Sequence, residues 1–236
     1  MARDDRERGT PEMRQAISEV LPLAIGVAIS PIPIIAVILM LFSRRATVNG
    51  PLFLLGWVLA LAIVSGVAYA IADSAGATAG SSAGDSVSWG QIVLGALLLV
   101  LARRQWAKRP APGEQAEMPK WMGSIDALQP VRAFALGVLL AGVNPKNLVL
   151  TVAAATALAQ AGVTGGDAVG GIVVFVVVAS LTIALPVAYR LLGGDGARAK
   201  LDEMKEWLGA HNAAVMAVLF LVFGVDLLAK GLGRLS

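Results

Sequence analysis

The chain has 236 residues, of which 57% are hydrophobic and 15% charged, and its mean hydropathy is +0.74. A soluble domain of this size would not tolerate so apolar a composition, so the sequence predicts an all-α integral membrane protein. The absence of cysteine excludes disulfides, thiol redox chemistry and thiolate metal sites. The net charge of +3 gives no reason to expect a nucleic-acid partner, because placement matters more than the sum of charges in a membrane protein.

Six apolar stretches are each about as long as a membrane-spanning helix requires. The first is too long for a signal peptide and follows a segment of mixed charge, so it is interpreted as a span. The third runs from Trp89 to Trp106 and would have an indole at each interface. The six predicted spans cover residues 20–42, 51–72, 89–106, 133–160, 168–192 and 212–232.

The spans divide the chain into four parts. These are a polar N-terminal segment (1–19), a first group of three spans (20–106), a linker rich in proline and charge (107–132) and a second group of three spans (133–236). The linker is interpreted as a solvated tether, with a headgroup or regulatory contact as the alternative. Apolar residues at helical spacing predict a short helix over 197–211, lying on the inner membrane surface.

Basic residues are concentrated in the loops after the first, third and fifth spans, and the loops after the second and fourth spans contain none. The positive-inside rule therefore predicts that the basic loops are cytoplasmic and that both termini lie outside the cytoplasmic membrane. Four arginines before the first span oppose this orientation.

The two halves of the chain resemble each other span by span. The segment "AIGVAISPIP" in the first span matches "ALGVLLAGVNP" in the fourth, and "GWVLALAIVS" in the second matches "GIVVFVVVAS" in the fifth. A unit of three spans ends on the side opposite to where it began, so its second copy must be inverted. The sequence thus predicts six transmembrane helices in two inverted three-helix repeats, a geometry typical of transporters.

Prolines occupy matching places in the two halves, Pro31 and Pro33 in the first span and Pro145 in the fourth. A proline removes an amide donor and displaces the carbonyl one turn earlier, so helices 1 and 4 are predicted to be broken. Polar backbone at membrane depth is tolerated only in a cavity or inside protein. We therefore expect the two breaks to meet and form a substrate site, with a kink of no functional role as the alternative.

Lys146 follows Pro145 and lies about 21 Å into the fourth span by helical rise, where a lysine needs a partner or water. Asn144 and Asn147 flank it and can supply amide donors and acceptors. Asp226 lies at a similar depth in the sixth span, so an ion pair with Lys146 is predicted, suited to proton coupling or to holding an acidic headgroup. The alternative is a local pair between Asp226 and Lys230, four residues further on.

Three segments resemble the peptidoglycolipid-addressing or sulfolipid-addressing proteins of actinobacteria. They are "LPLAIGVAISPIPIIAVILMLFSRRATVNGPLFLLGW", "GVNPKNLVLTVAAATALAQAG" and "ASLTIALPVAYRLLGGDGARAKLDEMKEWLGAHNAAVMAVLFLVFGV". The resemblance also implies membership of the lysine exporter superfamily, whose members are similar in having two three-helix repeats and an Asn-Pro-Lys sequence in the fourth helix. The resemblance implies export of cell-envelope glycolipids or their precursors across the cytoplasmic membrane. The substrate-binding or ion-binding positions that it and the charge analysis together indicate are Pro31, Pro33, Asn144, Pro145, Lys146, Asn147 and Asp226.

Two alternatives to glycolipid export stay open, an exporter of amino acids or other small solutes and a non-transporting accessory subunit of a larger export machinery. The motifs of a membrane enzyme are absent from the sequence, so we expect no catalytic activity, metal or cofactor. Six helices leave little room to enclose a substrate, so we expect a homodimer surrounded by membrane lipids.

Overall fold

The computed structural model describes residues 4–76, 82–109, 125, 128–193 and 196–235. These residues form eight α-helices and no strand, which confirms the all-α prediction. In chain order the helices are α1 (Asp4–Ala28), α2 (Pro31–Phe42), α3 (Ala46–Ser74), α4 (Ser82–Ala107), α5 (Pro130–Gly142), α6 (Pro145–Gln160), α7 (Gly165–Leu192) and α8 (Gly196–Leu235).

Each predicted span lies within one helix or within two consecutive helices. Within the described ranges, three single helices are long and apolar enough to cross a bilayer, namely α3, α7 and the Arg198–Gly233 part of α8. The bent pairs α1–α2 and α5–α6 raise the number to five if each pair is one span. Helix α4, which contains the predicted third span, is not among them, so the total of six spans stays a prediction.

Helices α3 and α7 each expose a continuous stripe of large apolar side chains, one every four residues. Ile63 and Ile71 on α3 are both 63% exposed. Exposing so long an apolar surface to water would be unfavourable, whereas contact with lipid acyl chains is not. The protein is therefore embedded in a membrane. The stripes consist of Leu55, Leu59, Ile63, Val67 and Ile71 on α3, and of Val169, Val173, Val177, Leu181 and Leu185 on α7.

The helices pack in pairs that join the two halves of the chain, with α3 against α5, α1 against α7, and α4 along α8. The α3–α5 contact brings the two backbones together at glycines. A Cβ added to Gly56 would lie 2.3 Å from the carbonyl oxygen of Phe134, and one added to Gly137 would lie 2.2 Å from that of Phe53. Only a residue without a side chain permits so close an approach.

Helix α8 is continuous over 40 residues, so the predicted separate surface helix over 197–211 is wrong. Leu201 and Leu208 are buried in the core, while Trp207 is exposed. The helical pattern of this segment runs without a proline into the following span, and one helix forms across both.

At the other end of the chain, α1 begins at Asp4 and includes most of the polar segment 1–19.

The predicted linker 107–132 lies largely outside the described residues. Helix α4 ends at Ala107, at the start of this segment, and α5 begins at Pro130, near its end.

Candidate functional site

Two breaks interrupt the bent pairs at the predicted prolines. Helix α1 ends at Ala28 and α2 begins at Pro31, with a bend of 56° between them, while α5 ends at Gly142 and α6 begins at Pro145, with a bend of 61°. A proline at the start of a helix loses no hydrogen bond, because the first amides of a helix have no internal partner. The predicted breaks are therefore confirmed: Pro31 begins α2, with Pro33 in its first turn, and Pro145 begins α6.

The break after α1 leaves carbonyl groups without helical donors. In an uninterrupted helix the carbonyls of Val27 and Ile29 would accept from the amides of residues 31 and 33, but Pro31 and Pro33 have none. The hydroxyl of Ser30 donates to the Val27 carbonyl at 2.6 Å. The Ile29 carbonyl is bound from the second half of the chain.

Lys146 supplies that bond. The side chain is 1% exposed, and its Nζ donates to the carbonyl oxygens of Gly26 at 2.7 Å and Ile29 at 2.9 Å, and to Oγ of Ser30 at 2.6 Å. These three bonds use all three ammonium hydrogens. A cation at the C-terminal end of a helix also complements the partial negative charge there, so Lys146 stabilises the broken end of α1.

The asparagines on either side of Lys146 organise the start of α6. Oδ1 of Asn144 accepts from the backbone amide of Lys146 at 3.1 Å, a helix-capping bond. Nδ2 of Asn147 donates to the carbonyl of Leu140 at 3.0 Å, near the end of α5. Its Oδ1 lies 3.1 Å from Oγ of Ser30, which shares its one hydrogen between this oxygen and the closer Val27 carbonyl. Asn147 is fully buried, whereas Pro145 is exposed. One polar cluster therefore joins both breaks.

Both breaks lie inside a region that matches a known family. The sequence model of the family described as Sap, sulfolipid-1-addressing protein, matches residues 20–233. The chain belongs to this family. Neither the curated proteins nor the solved structures contain a match to the chain.

In this member of the sulfolipid-1-addressing protein family, Asp226 is not a partner of Lys146. Its Oδ2 lies 3.2 Å from Nζ of Lys230, four residues further along α8. The predicted ion pair between Lys146 and Asp226 is therefore wrong, and the local alternative is found. Helical counting estimates the depth of a residue but not the direction of its side chain, which is why the sequence suggested the wrong partner.

Two hydroxyl groups that the sequence analysis did not single out complete the site, those of Ser30 and Thr182. Oγ1 of Thr182, on α7, donates to the carbonyl of Ala28 at 2.6 Å. The sequence holds a signal for each residue. Ser30 directly precedes the Pro-x-Pro sequence, and Thr182 is the one hydroxyl residue within the apolar run 181–188.

Further buried hydroxyls lie on the same helices. Thr151 is one turn after Asn147 on α6, and Ser180 precedes Thr182 on α7; the hydroxyl oxygens of both are buried without a hydrogen-bond partner. Buried hydroxyls are normally bonded, so these two are suited to binding water or a polar group of a ligand. Across the part of the chain that the structure describes, no three His, Asp or Glu side chains converge in a way that could hold a metal ion.

Proposed function

We propose that the chain is a transporter that exports envelope glycolipids or their precursors across the cytoplasmic membrane, with the cluster around Lys146 as its substrate or coupling site. The observation that carries the proposal is the buried ammonium of Lys146, held between broken helices of the two halves. A cation inside a membrane protein is costly and typically serves function. A sulfated head group, as the family name suggests for the substrate, has the complementary charge.

The packing of the helices supports an inverted repeat. In such a repeat, α1, α2, α3 and α4 correspond to α5, α6, α7 and α8, in that order. When each helix is replaced by its counterpart, the α3–α5 contact becomes the α7–α1 contact, which is also observed. The α4–α8 and α3–α7 contacts are unchanged by the same replacement. The two breaks also correspond under this exchange. In transporters built this way, broken helices of the two repeats form the substrate site, and the repeats move against each other around it.

The bonding of Lys146 suggests how binding and movement are coupled. Its ammonium has no hydrogen left for a ligand, so an anionic head group must displace Gly26, Ile29 or Ser30. Losing these bonds would release the end of α1 from the start of α6. Substrate binding would thereby favour a second arrangement of the two halves, as alternating access requires.

Other parts of the proposal follow from the sequence. The similarity to the lysine exporter superfamily supports two inverted repeats, and the distribution of basic residues supports termini outside the cytoplasmic membrane. We further propose a homodimer without enzymatic activity. Export of amino acids or other small solutes and an accessory role in a larger export machinery are the competing functions.

The proposal is tested with the purified full chain in liposomes that contain a fluorescent sulfated glycolipid. A membrane-impermeant quencher then reports how fast the label crosses the bilayer. We expect transport by the unmodified protein and a loss of about tenfold or more in Lys146→Ala, because charge-assisted bonds are removed. The matched control is Lys230→Ala, which removes a partly exposed lysine of the local ion pair and should transport normally.

Thermal unfolding separates lost transport from lost folding. Lys146→Ala leaves the carbonyls of Gly26 and Ile29 unbound and should destabilise the protein. Ser30→Ala therefore serves as a milder second variant, because it removes one acceptor of Lys146 and keeps the bonds from Lys146 to these two carbonyls. Transport at the unmodified rate in a folded Lys146→Ala protein would refute the proposed site. A folded but inactive unmodified chain would favour the accessory role, and faster movement of a labelled amino acid would favour the small-solute exporter.

A further inference from the structure

A groove of about 390 Å³ lies between α4 and α8, apart from the cluster around Lys146. Its walls consist mainly of apolar side chains from both helices, so an acyl chain would fit them better than water. These residues are Leu99, Ala102 and Trp106 on α4, and Ala217, Val218 and Leu221 on α8.

One end of the groove is strongly basic. Arg103 lines the groove, Arg104 follows it, and both side chains are exposed. Among the described residues neither guanidinium has an ion-pair or hydrogen-bond partner. Trp106 is 51% exposed, and the guanidinium of Arg109 lies 3.5 Å from the centre of its ring. An indole beside cationic side chains is typical of the level where a protein meets lipid head groups.

We propose that this groove binds an anionic phospholipid of the leaflet that borders the C-terminal end of α4. Its phosphate would bind Arg103 and Arg104, and one acyl chain would lie along Leu99 and Val218. Charge complementarity selects this occupant, because arginine matches phosphate oxygens in geometry as well as charge, whereas the head group of a zwitterionic lipid carries its own cation. The groove is independent of the proposed transport site, because no hydrogen bond of the described residues joins the residues that line the groove to the cluster around Lys146.

The bound lipid would have a structural effect. Arg103 and Arg104 place two positive charges near the C-terminal end of α4. An anionic lipid would neutralise these charges at the head-group level and would contact α4 and α8 at once. We therefore expect it to hold α4 against α8 in the membrane.

The test is native mass spectrometry of the full chain in detergent, titrated with dioleoyl-phosphatidylglycerol or dioleoyl-phosphatidylcholine. We expect tighter retention of the phosphatidylglycerol. Arg103→Gln should weaken its binding about fivefold, as expected for one basic residue near a membrane surface. The control Arg132→Gln removes an exposed arginine at the start of α5, outside the groove, and should bind as the unmodified chain does.

A second variant tests the apolar part of the groove. Val218→Trp fills the space beside Leu99 and should lower retention of phosphatidylglycerol while both arginines remain. Equal retention of the two lipids by the unmodified chain, or equal binding by Arg103→Gln and Arg132→Gln, would overturn the proposal. Transport activity is not needed for any of these measurements, so failure here is distinguishable from failure of the proposed transport function.

Discussion

The close contact of α3 and α5 predicts that a single methyl group at Gly56 destabilises the protein. In Gly56→Ala the new Cβ would lie 2.3 Å from the carbonyl oxygen of Phe134 and 3.2 Å from the backbone nitrogen of Val138. Carbon and carbonyl oxygen approach each other to about 3.3 Å in close helix contacts, so the helices would have to separate by about 1 Å. The clash is with backbone, so no change of rotamer relieves it.

The expected magnitude follows from two opposing effects. Overpacking of this kind costs about 3 kcal/mol at the upper end of its range, and the better helix propensity of alanine returns about 1 kcal/mol. We therefore expect the free energy of unfolding to fall by about 2 kcal/mol. For a chain of this length, that corresponds to a decrease of about 4–8 °C in Tm.

The assay is thermal unfolding in detergent, followed by tryptophan fluorescence, and the control lies on the same helix. A Cβ added to Gly66 meets no atom within 4 Å, so Gly66→Ala should leave Tm unchanged or raise it slightly. Gly137→Ala creates the reciprocal clash with Phe53 and should resemble Gly56→Ala. The double variant Gly56→Ala with Gly137→Ala should lose less than the sum, because one separation relieves both clashes. Equal Tm values for Gly56→Ala and Gly66→Ala would refute this reasoning.

Two further predictions concern buried polar bonds between helices and use the same thermal assay. Thr182→Val removes the bond to the Ala28 carbonyl and should cost about 1 kcal/mol, whereas Thr156→Val, whose hydroxyl bonds within its own helix, should change stability less; equal losses would contradict a role for the first bond. Nε2 of Gln91 donates to Oε1 of Gln160 at 2.9 Å, so Gln91→Leu alone should cost about 1–2 kcal/mol by leaving Gln160 unpaired. Replacing both glutamines with leucine should recover most of that loss, and a double-mutant cycle with purely additive losses would argue against the pairing.

The sequence was sufficient to locate the breaks because a break depends on local chemistry. Pro31 and Pro145 lack an amide hydrogen wherever they stand, and the start of a helix is the place where that lack is harmless. The need of Lys146 for a partner was equally predictable, since an isolated charge in a membrane is costly. These inferences require only the residue and its place in an apolar span.

The identity of that partner was not predictable from the same information. The backbone carbonyls of Gly26 and Ile29 accept from Lys146 only because α6 packs beside the end of α1. Nothing in the residue types glycine and isoleucine indicates this role. In the sequence, the acidic side chain at a similar depth was that of Asp226, which made it the expected partner. Helical rise places a residue along a helix, but rotation about the axis and packing between helices decide which side chains meet.

The bonds at the end of α1 join residues separated by 120 and 117 positions in the chain, and this separation matters during biosynthesis. At a synthesis rate of about 5–20 residues per second, the ribosome reaches Lys146 on the order of ten seconds after Gly26. For that interval the nascent first half would hold unbound carbonyls in the bilayer, unless water or an insertion factor binds them. A chain truncated before residue 146 should therefore be a preferred substrate of membrane quality-control proteases.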